Sequence, residues 1–75
     1  MIPKTKAVLL YDKYYLLCTE INPMASIEAR NIYAKRMAIN AVDELIDFMD
    51  GFDLDLNLKH RWEWWKQVRK ELESI

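Results

Sequence analysis

The sequence is poor in residues that build turns and covalent links, with one glycine, two prolines, one cysteine and one histidine. A single cysteine excludes a disulfide within the chain, and one cysteine with one histidine falls short of a zinc ligand set. So few turn residues exclude a fold made of many short strands. No apolar run approaches the roughly 18 residues of a membrane span. We therefore expect a soluble, cytoplasmic protein.

What the chain does have is apolar bulk: 52% of its 75 residues are hydrophobic, including three tryptophans and four tyrosines. This composition suits one packed domain and argues against disorder. A domain of this size buries a small core and often depends on self-association. The choice of Ala, Leu, Met, Lys and Glu favours helices. We predict one all-α domain over residues 1–75, a three-helix bundle or a helical hairpin with a long central helix, that forms oligomers.

Proline and glycine mark the ends of the predicted helices. Pro3 suits the first turn of a helix, where its missing N–H is not needed. Asn22 and Pro23 end the first helix and start the second, with asparagine as the N-cap and proline as the first helical residue. Gly51 lies just after the second predicted helix, at a position that commonly adopts positive φ. The predicted helices span about residues 3–20, 23–50 and 58–74.

The second predicted helix is apolar on two faces, which is the most informative feature of the sequence. At about 100° per residue, one broad face carries the expected core positions, Ile27, Ala34, Ala38, Ala41, Val42, Leu45, Phe48 and Met49. On nearly the opposite side, Ile32, Ile39 and Ile46 recur every seven residues. A helix of roughly 39 Å, at ~1.5 Å per residue, is too long for two short neighbours to cover on both faces. We therefore expect these three isoleucines to form a self-association contact.

Charge is strongly segregated along the chain, although the net charge is −1. Residues 43–55 contain six acidic residues and no basic one, whereas residues 59–70 contain five basic residues against one glutamate. Acidic groups in the last turn of a helix oppose its dipole, so some compensation is expected. We expect Lys59 and Arg61 of an antiparallel third helix to lie near the acidic segment. The alternative is that the segment docks a basic partner or a cation.

A calcium loop is the cation site that the acidic segment most resembles. Asp53, Asp55 and Asn57 match the first three ligand positions of an EF-hand loop. The match then fails, because Leu58 stands where glycine is required and Trp64 where the bidentate glutamate is required. The pattern therefore predicts no metal site.

Catalytic groups are also poorly represented. Cys18 and His60 would make an activated thiolate if they met, but Cys18 lies on the expected core stripe of the first helix, where cysteine is usually inert. The carboxylates of Asp43, Glu44 and Asp47 fan out over a polar surface, with no pocket to raise their pKa. No glycine-rich loop is present to hold a phosphate. We predict that the protein is not an enzyme and uses no cofactor.

Three tryptophans beside basic residues in the third predicted helix also suit binding of single-stranded nucleic acid. Two points count against that alternative: Trp62 and Trp65 are needed in the core, and the acidic segment would repel phosphate. We expect Arg69 to cover Trp65 as a cation–π lid. Trp64, with His60 one turn earlier, is expected at the rim of the core as a partly exposed anchor for a partner.

Three stretches carry motifs of a known group: Ile2 to Ala7 leading to Lys13 and Tyr14, Ala34 to Ala38 running into Ala41 to Ile46, and Trp64 to Glu73. They resemble the Pro-Lys-x-Lys-Ala opening, Ala-Val-Asp-Glu centre and aromatic-Trp-x-x-Val-Lys-x-Glu-Ile-Glu ending of small, mostly uncharacterised helical proteins. Those proteins are encoded by bacteriophages and mobile elements of Bacteroidetes-type bacteria. The resemblance implies a phage-type accessory protein in a bacterial cytosol, and it supplies no catalytic residue.

We therefore expect a non-catalytic, self-associating helical protein that binds a host protein or a host signalling ligand stoichiometrically, as anti-defence factors do. The alternatives are a minor structural component of a phage particle and a nucleic-acid-binding protein. The residues expected to hold an anionic ligand or a partner are Lys35, Arg36, His60, Trp64 and Arg69.

Overall fold

A computed structural model describes residues 1–51 and 55–75 of the chain. The described residues form three helices, α1 (Pro3–Ile21), α2 (Ile27–Asp50) and α3 (Leu56–Glu73), and contain no strand. Each helix packs against the other two. The prediction of an all-α, three-helix fold is therefore confirmed for this part of the chain.

α1 begins at Pro3, as predicted, and ends one residue later than predicted. Ile2 is extended, with φ −81° and ψ 152°, and its carbonyl accepts hydrogen bonds from the N–H groups of Thr5 and Lys6. Proline needs no acceptor at the first helical position, so it starts the helix without leaving a donor unpaired. The helix ends where Asn22 adopts φ −139°, although its N–H still bonds to a helix carbonyl.

α2 begins at Ile27, and the predicted start at Pro23 is wrong by four residues. The N-cap is Ser26, whose hydroxyl oxygen accepts a hydrogen bond from the N–H of Ala29 at 3.1 Å. The backbone carbonyl of Asn22, and not its side chain, accepts a turn hydrogen bond from the N–H of Ala25 at 3.1 Å. Asparagine and serine are both good N-caps. The chain uses the later one because residues 22–26 are needed to reverse its direction.

α2 ends at Asp50, as predicted, but the expected positive φ at Gly51 is wrong. Gly51 has φ −77° and ψ −2°, and its N–H bonds to the carbonyl of Phe48 at 3.3 Å. These angles are open to any L-residue. Backbone conformation therefore does not require glycine at this position.

α3 begins at Leu56, two residues before its predicted start, and ends at Glu73. The N-cap is Asp55, whose carboxylate accepts a hydrogen bond from the N–H of Leu58 at 2.8 Å. A carboxylate at this position also favours the positive end of the helix dipole. The acidic residue at position 55 therefore has a structural role at the start of α3.

The three helices are staggered along the bundle. The indole N–H of Trp64 donates to the carbonyl of Met1 at 3.2 Å, and Ile75 lies beside Val8. α3 therefore runs in the same direction as α1 and ends alongside its first half. Lys35 of α2 donates to the carbonyl of Ile75 at 3.3 Å, which places the end of α3 beside the first half of α2 as well. Beyond this level, α1 and α2 pack on each other as a pair.

The core of the described residues is small and rich in alanine. The largest fully buried side chains are Val42, Val68 and Leu72. Tyrosines and tryptophans, partly buried, pack around the core, which gives the bundle much of its apolar contact. The described side chains that are buried are Ala7, Ala34, Ala38, Val42, Ile46, Val68 and Leu72.

Along α2, the buried positions follow a spacing of four residues from Ala34 to Ile46. Four residues turn the helix by about 400°, so the buried line moves about 40° around the helix at each step. This rotation of the buried line matches the axial stagger of the three helices. The first half of α2 faces α1, and its second half faces both α1 and α3. The rotation also corrects the predicted core face, since Ile27 and Phe48, expected inside, are exposed.

Candidate functional site

The three isoleucines predicted to form one self-association contact lie in three different environments. Ile46 is 8% exposed and belongs to the core, which contradicts its predicted place on a face open to a second copy. Ile39 is half-buried and packs against the same core. Ile32 is 51% exposed. Because the line of buried positions rotates around α2, Ile46 at the end of the seven-residue repeat lies inside the bundle, whereas Ile32 at its start is exposed.

Lys35 and Arg69, predicted to hold an anionic ligand, both bond to groups of the chain itself. Lys35 donates to the carbonyls of Glu73 at 2.8 Å and Ile75 at 3.3 Å, where a cation offsets the negative end of the α3 dipole. Arg69 donates to the carboxylates of Asp43 and Glu73. Both cations therefore fasten the second half of α3 to α2.

The acidic side of α2 forms one ion pair with α3 among the described residues. Asp43 pairs with Arg69, whereas Lys59 and Arg61 form no ion pair with any described residue. The EF-hand-like pattern begins at Asp53, which lies outside the described residues. Within the described part of the chain, no group of three or more His, Cys, Asp or Glu is placed to hold a metal ion.

The remaining predicted binding residues do not come together. Arg36 is exposed on α2 and His60 is exposed near the start of α3. Trp64 is partly buried, its N–H bonded to Met1, and its ring packs edge-on against Trp65 with 4.9 Å between centroids. The predicted set is thus spread over two helices, and none of its members lines the groove between α1 and α2 or the cavity beside Lys4 and Ile75.

Lysines lie over two of the three tryptophan rings, and Arg69 does not act as the predicted lid over Trp65. The ammonium of Lys66 lies 4.1 Å from the ring centroid of Trp62, and that of Lys6 lies 5.9 Å from the ring of Trp65. All three tryptophans pack against the core. Bases stack on aromatic faces that are open to solvent. The geometry therefore does not favour nucleic-acid binding by α3.

Two potentially reactive groups, Cys18 and Tyr11, take part in contacts between α1 and α2. Cys18 is half-buried, with its sulfur 3.6 Å from the sulfur of Met37. Burial raises the pKa of the Tyr11 hydroxyl, and the charges of Tyr15 and Asp12 add to the effect. The neutral hydroxyl of Tyr11 donates a hydrogen bond to the side-chain oxygen of Asn31 on α2. Both groups therefore join the two helices.

Residues 17–33, the hairpin end, form a surface that was not identified from the sequence. This is where α1 and α2 pack on each other beyond the end of α3. None of the described helices is long and apolar enough to cross a membrane. A group of exposed apolar side chains typically marks a contact surface. The large apolar side chains exposed there are Leu17, Ile21, Met24, Ile27, Ile32 and Tyr33.

A groove of about 410 Å³ lies between α1 and α2 at the hairpin end. Two small residues, Ala25 and Ala29, leave room along it. The signal for this groove in the sequence is the pair of alanines four residues apart, in and just after the α1–α2 turn, opposite larger apolar residues. The apolar lining includes Cys18, Ile21, Ala25, Ala29, Tyr33 and Met37.

Arg30 brings a positive charge to this groove. One terminal nitrogen of its guanidinium donates to the carbonyl of Pro23 at 2.6 Å. The Nε atom is buried and has no hydrogen-bond partner among the described residues. No described carboxylate forms an ion pair with Arg30. The groove therefore combines apolar walls with a positive charge that is not neutralised locally.

The fold and this surface define the protein as a three-helix bundle with an exposed apolar hairpin end. In comparisons with known proteins, no family model matches the chain, and no curated protein or solved structure matches it either.

Proposed function

We propose that the protein is a non-catalytic helical binding protein that acts by stoichiometric binding, and that the hairpin end is its contact surface. The observation that carries this proposal is the concentration of exposed apolar side chains at the hairpin end, beyond the end of α3. Exposed apolar surface of this kind is unfavourable in water and favours a partner that covers it. The simplest partner is a second copy of the chain.

The small core supports self-association. Several of its buried side chains are alanines, which contribute little apolar area. Chains of this size commonly gain stability when association buries further apolar surface. A two-fold contact in which two hairpin ends cover each other would bury Ile21, Met24 and Ile27 from both copies. This contact retains Ile32 from the predicted set and does not involve Ile46.

The wider role that we propose is that of a phage-type accessory factor that binds a host protein or a host signalling ligand. Its support is the resemblance carried by the opening, middle and closing motifs of the sequence. The hairpin-end surface adds a physical means of binding that requires no catalytic group. Each binding surface of such an accessory factor would hold one target molecule.

Self-association can be tested with two matched substitutions. Ile27 and Leu56 are each the first residue of a helix and are 68% and 70% exposed, but they lie at opposite ends of the molecule. Glutamate in the first turn suits the helix dipole, so neither Ile27→Glu nor Leu56→Glu should weaken its helix. Solution mass is measured by light scattering and sedimentation over a range of concentrations, with circular dichroism to verify folding.

We expect the wild type to exceed the mass of one chain, and Ile27→Glu to weaken association by roughly a hundredfold to ten-thousandfold. Burial of one isoleucine side chain is worth about 1.5–3 kcal/mol, a two-fold contact loses it from both copies, and about 1.4 kcal/mol corresponds to a tenfold change in affinity. Leu56→Glu should leave the mass unchanged. A wild type with the mass of one chain at every concentration contradicts the proposal, as does equal dissociation of the two variants.

A further inference from the structure

We propose that the groove at the hairpin end binds a small amphipathic anion, an unbranched apolar chain that ends in a carboxylate, with Arg30 at the anionic end. Its volume of about 410 Å³ lies within the range of roughly 300–1,000 Å³ that small-molecule sites occupy. This inference goes beyond the proposed function, because the groove is formed by a single copy of the chain.

The lining of the groove requires a ligand with an apolar body. Ile21, Tyr33 and Met37 supply apolar side-chain surface, while Ala25 and Ala29 leave space because their side chains end at Cβ. An apolar chain in this space would remove both its own surface and that of the groove from water. The unbranched thioether of Met37 can adjust to chains of different length.

Arg30 requires that one end of the ligand be anionic. Its contact with the carbonyl of Pro23 holds the guanidinium beside the groove. No described carboxylate neutralises its charge, and a ligand carboxylate in the groove would do so with a charge-assisted hydrogen bond to the guanidinium. Glu20 and Glu28, the acidic residues closest in sequence, are exposed and do not pair with Arg30. Charge complementarity therefore selects a carboxylate over an amine.

Titration calorimetry of the full chain with sodium decanoate, below its micelle concentration, tests the proposal. Hexanoate, octanoate, decanol and decylamine are the comparison probes. We expect one decanoate per chain and affinity that rises about fourfold for each added methylene, the ratio that corresponds to burial of one CH₂ group. Decylamine should bind at least tenfold more weakly than decanoate. Equal binding of the amine and the carboxylate overturns the proposal, and so does an absence of decanoate binding.

Three variants locate the binding at the groove. Ala29→Leu fills the groove with a residue that helices favour, so it should abolish decanoate binding and leave the circular dichroism spectrum unchanged. Arg30→Gln should reduce the preference for decanoate over decylamine by at least tenfold. Arg61→Gln, which removes the same charge from an exposed position on α3, should bind as the wild type does. Decanoate binding that survives Ala29→Leu, or a preference unchanged in Arg30→Gln, overturns the assignment.

Solution mass measured on the same samples separates this proposal from self-association. A chain that remains monomeric and binds decanoate contradicts self-association and supports the ligand site. Ile21 belongs to both the groove and the proposed self-contact, so decanoate binding is measured at concentrations at which the chain is monomeric. A chain that associates at higher concentration but does not bind decanoate as a monomer contradicts the ligand site alone.

Discussion

The guanidinium of Arg69 on α3 donates to the carboxylate of Asp43 on α2 and also to Glu73, one turn further along α3. It joins the acidic part of α2 to the basic part of α3, so the segregated charges of the sequence meet across a helix contact. The side chains of Arg69 and Asp43 are 39% and 37% exposed, which leaves the pair partly screened by water. The pair therefore favours one register of α3 on α2 while adding little stability.

A double-mutant cycle with Arg69→Gln and Asp43→Asn should give a coupling free energy of about 0.2–1 kcal/mol, the range of exposed ion pairs. The coupling should fall at high salt, because counterions screen exposed charges. Urea unfolding of the wild type, both single variants and the double variant measures it. The same cycle with Arg61→Gln in place of Arg69→Gln is the control and should give no coupling. A coupling that does not change with salt would contradict the exposed geometry of the pair.

Ile46 and Ile32 provide a matched test of which isoleucine belongs to the core. Ile46→Ala should lower the free energy of unfolding by about 2–5 kcal/mol, because a buried side chain is removed and leaves a cavity. Ile32→Ala, the same chemical change at a position 51% exposed, should cost less than about 1 kcal/mol. Urea unfolding at low protein concentration limits any contribution from association. Equal losses in the two variants would show that α2 does not have the buried line described above.

Gly51→Ala should stabilise the protein by about 0.4–1 kcal/mol, because alanine reduces the freedom of the unfolded chain. The native φ of −77° suits alanine, and its Cβ would lie 3.5 Å from the carbonyl oxygen of Phe48, an ordinary contact. Thermal unfolding should show a Tm higher by roughly 2–8 °C. Positive φ at this position would instead make the alanine variant less stable, so a fall in Tm would contradict the conformation of Gly51.

The helices were predictable to the extent that local chemistry sets them. Pro3 starts α1 because proline fits the first helical position regardless of what surrounds it. The start of α2 was not predictable in this way, since Asn22 and Ser26 are both capable N-caps. The choice of Ser26 depends on how many residues the chain needs to bring α2 back onto α1, and that number is a property of the packed pair.

The candidate binding surface was less accessible to sequence reasoning than the helices. Ile27 and Ile46 both looked apolar and helical, and their predicted roles are reversed: Ile27 is exposed and Ile46 is buried. Periodicity places a residue on a face, but it does not say where along a helix a neighbour lies. The stagger of α3, which leaves residues 17–33 as a two-helix hairpin, decided which apolar side chains were covered.

Composition and local sequence set the helical character of this chain, the start of α1 at its proline, and an amount of apolar surface that exceeds what one small core can hold. These properties depend on composition and on interactions between residues that are close in sequence, so they can be inferred without the tertiary structure. The packing of the helices, by contrast, sets the pairing of Arg69 with Asp43, the burial of Ile46, and the exposure of apolar side chains beside Arg30 at the hairpin end. Each of these depends on the axial offset of one helix against another, which is set by the packing of all three helices together.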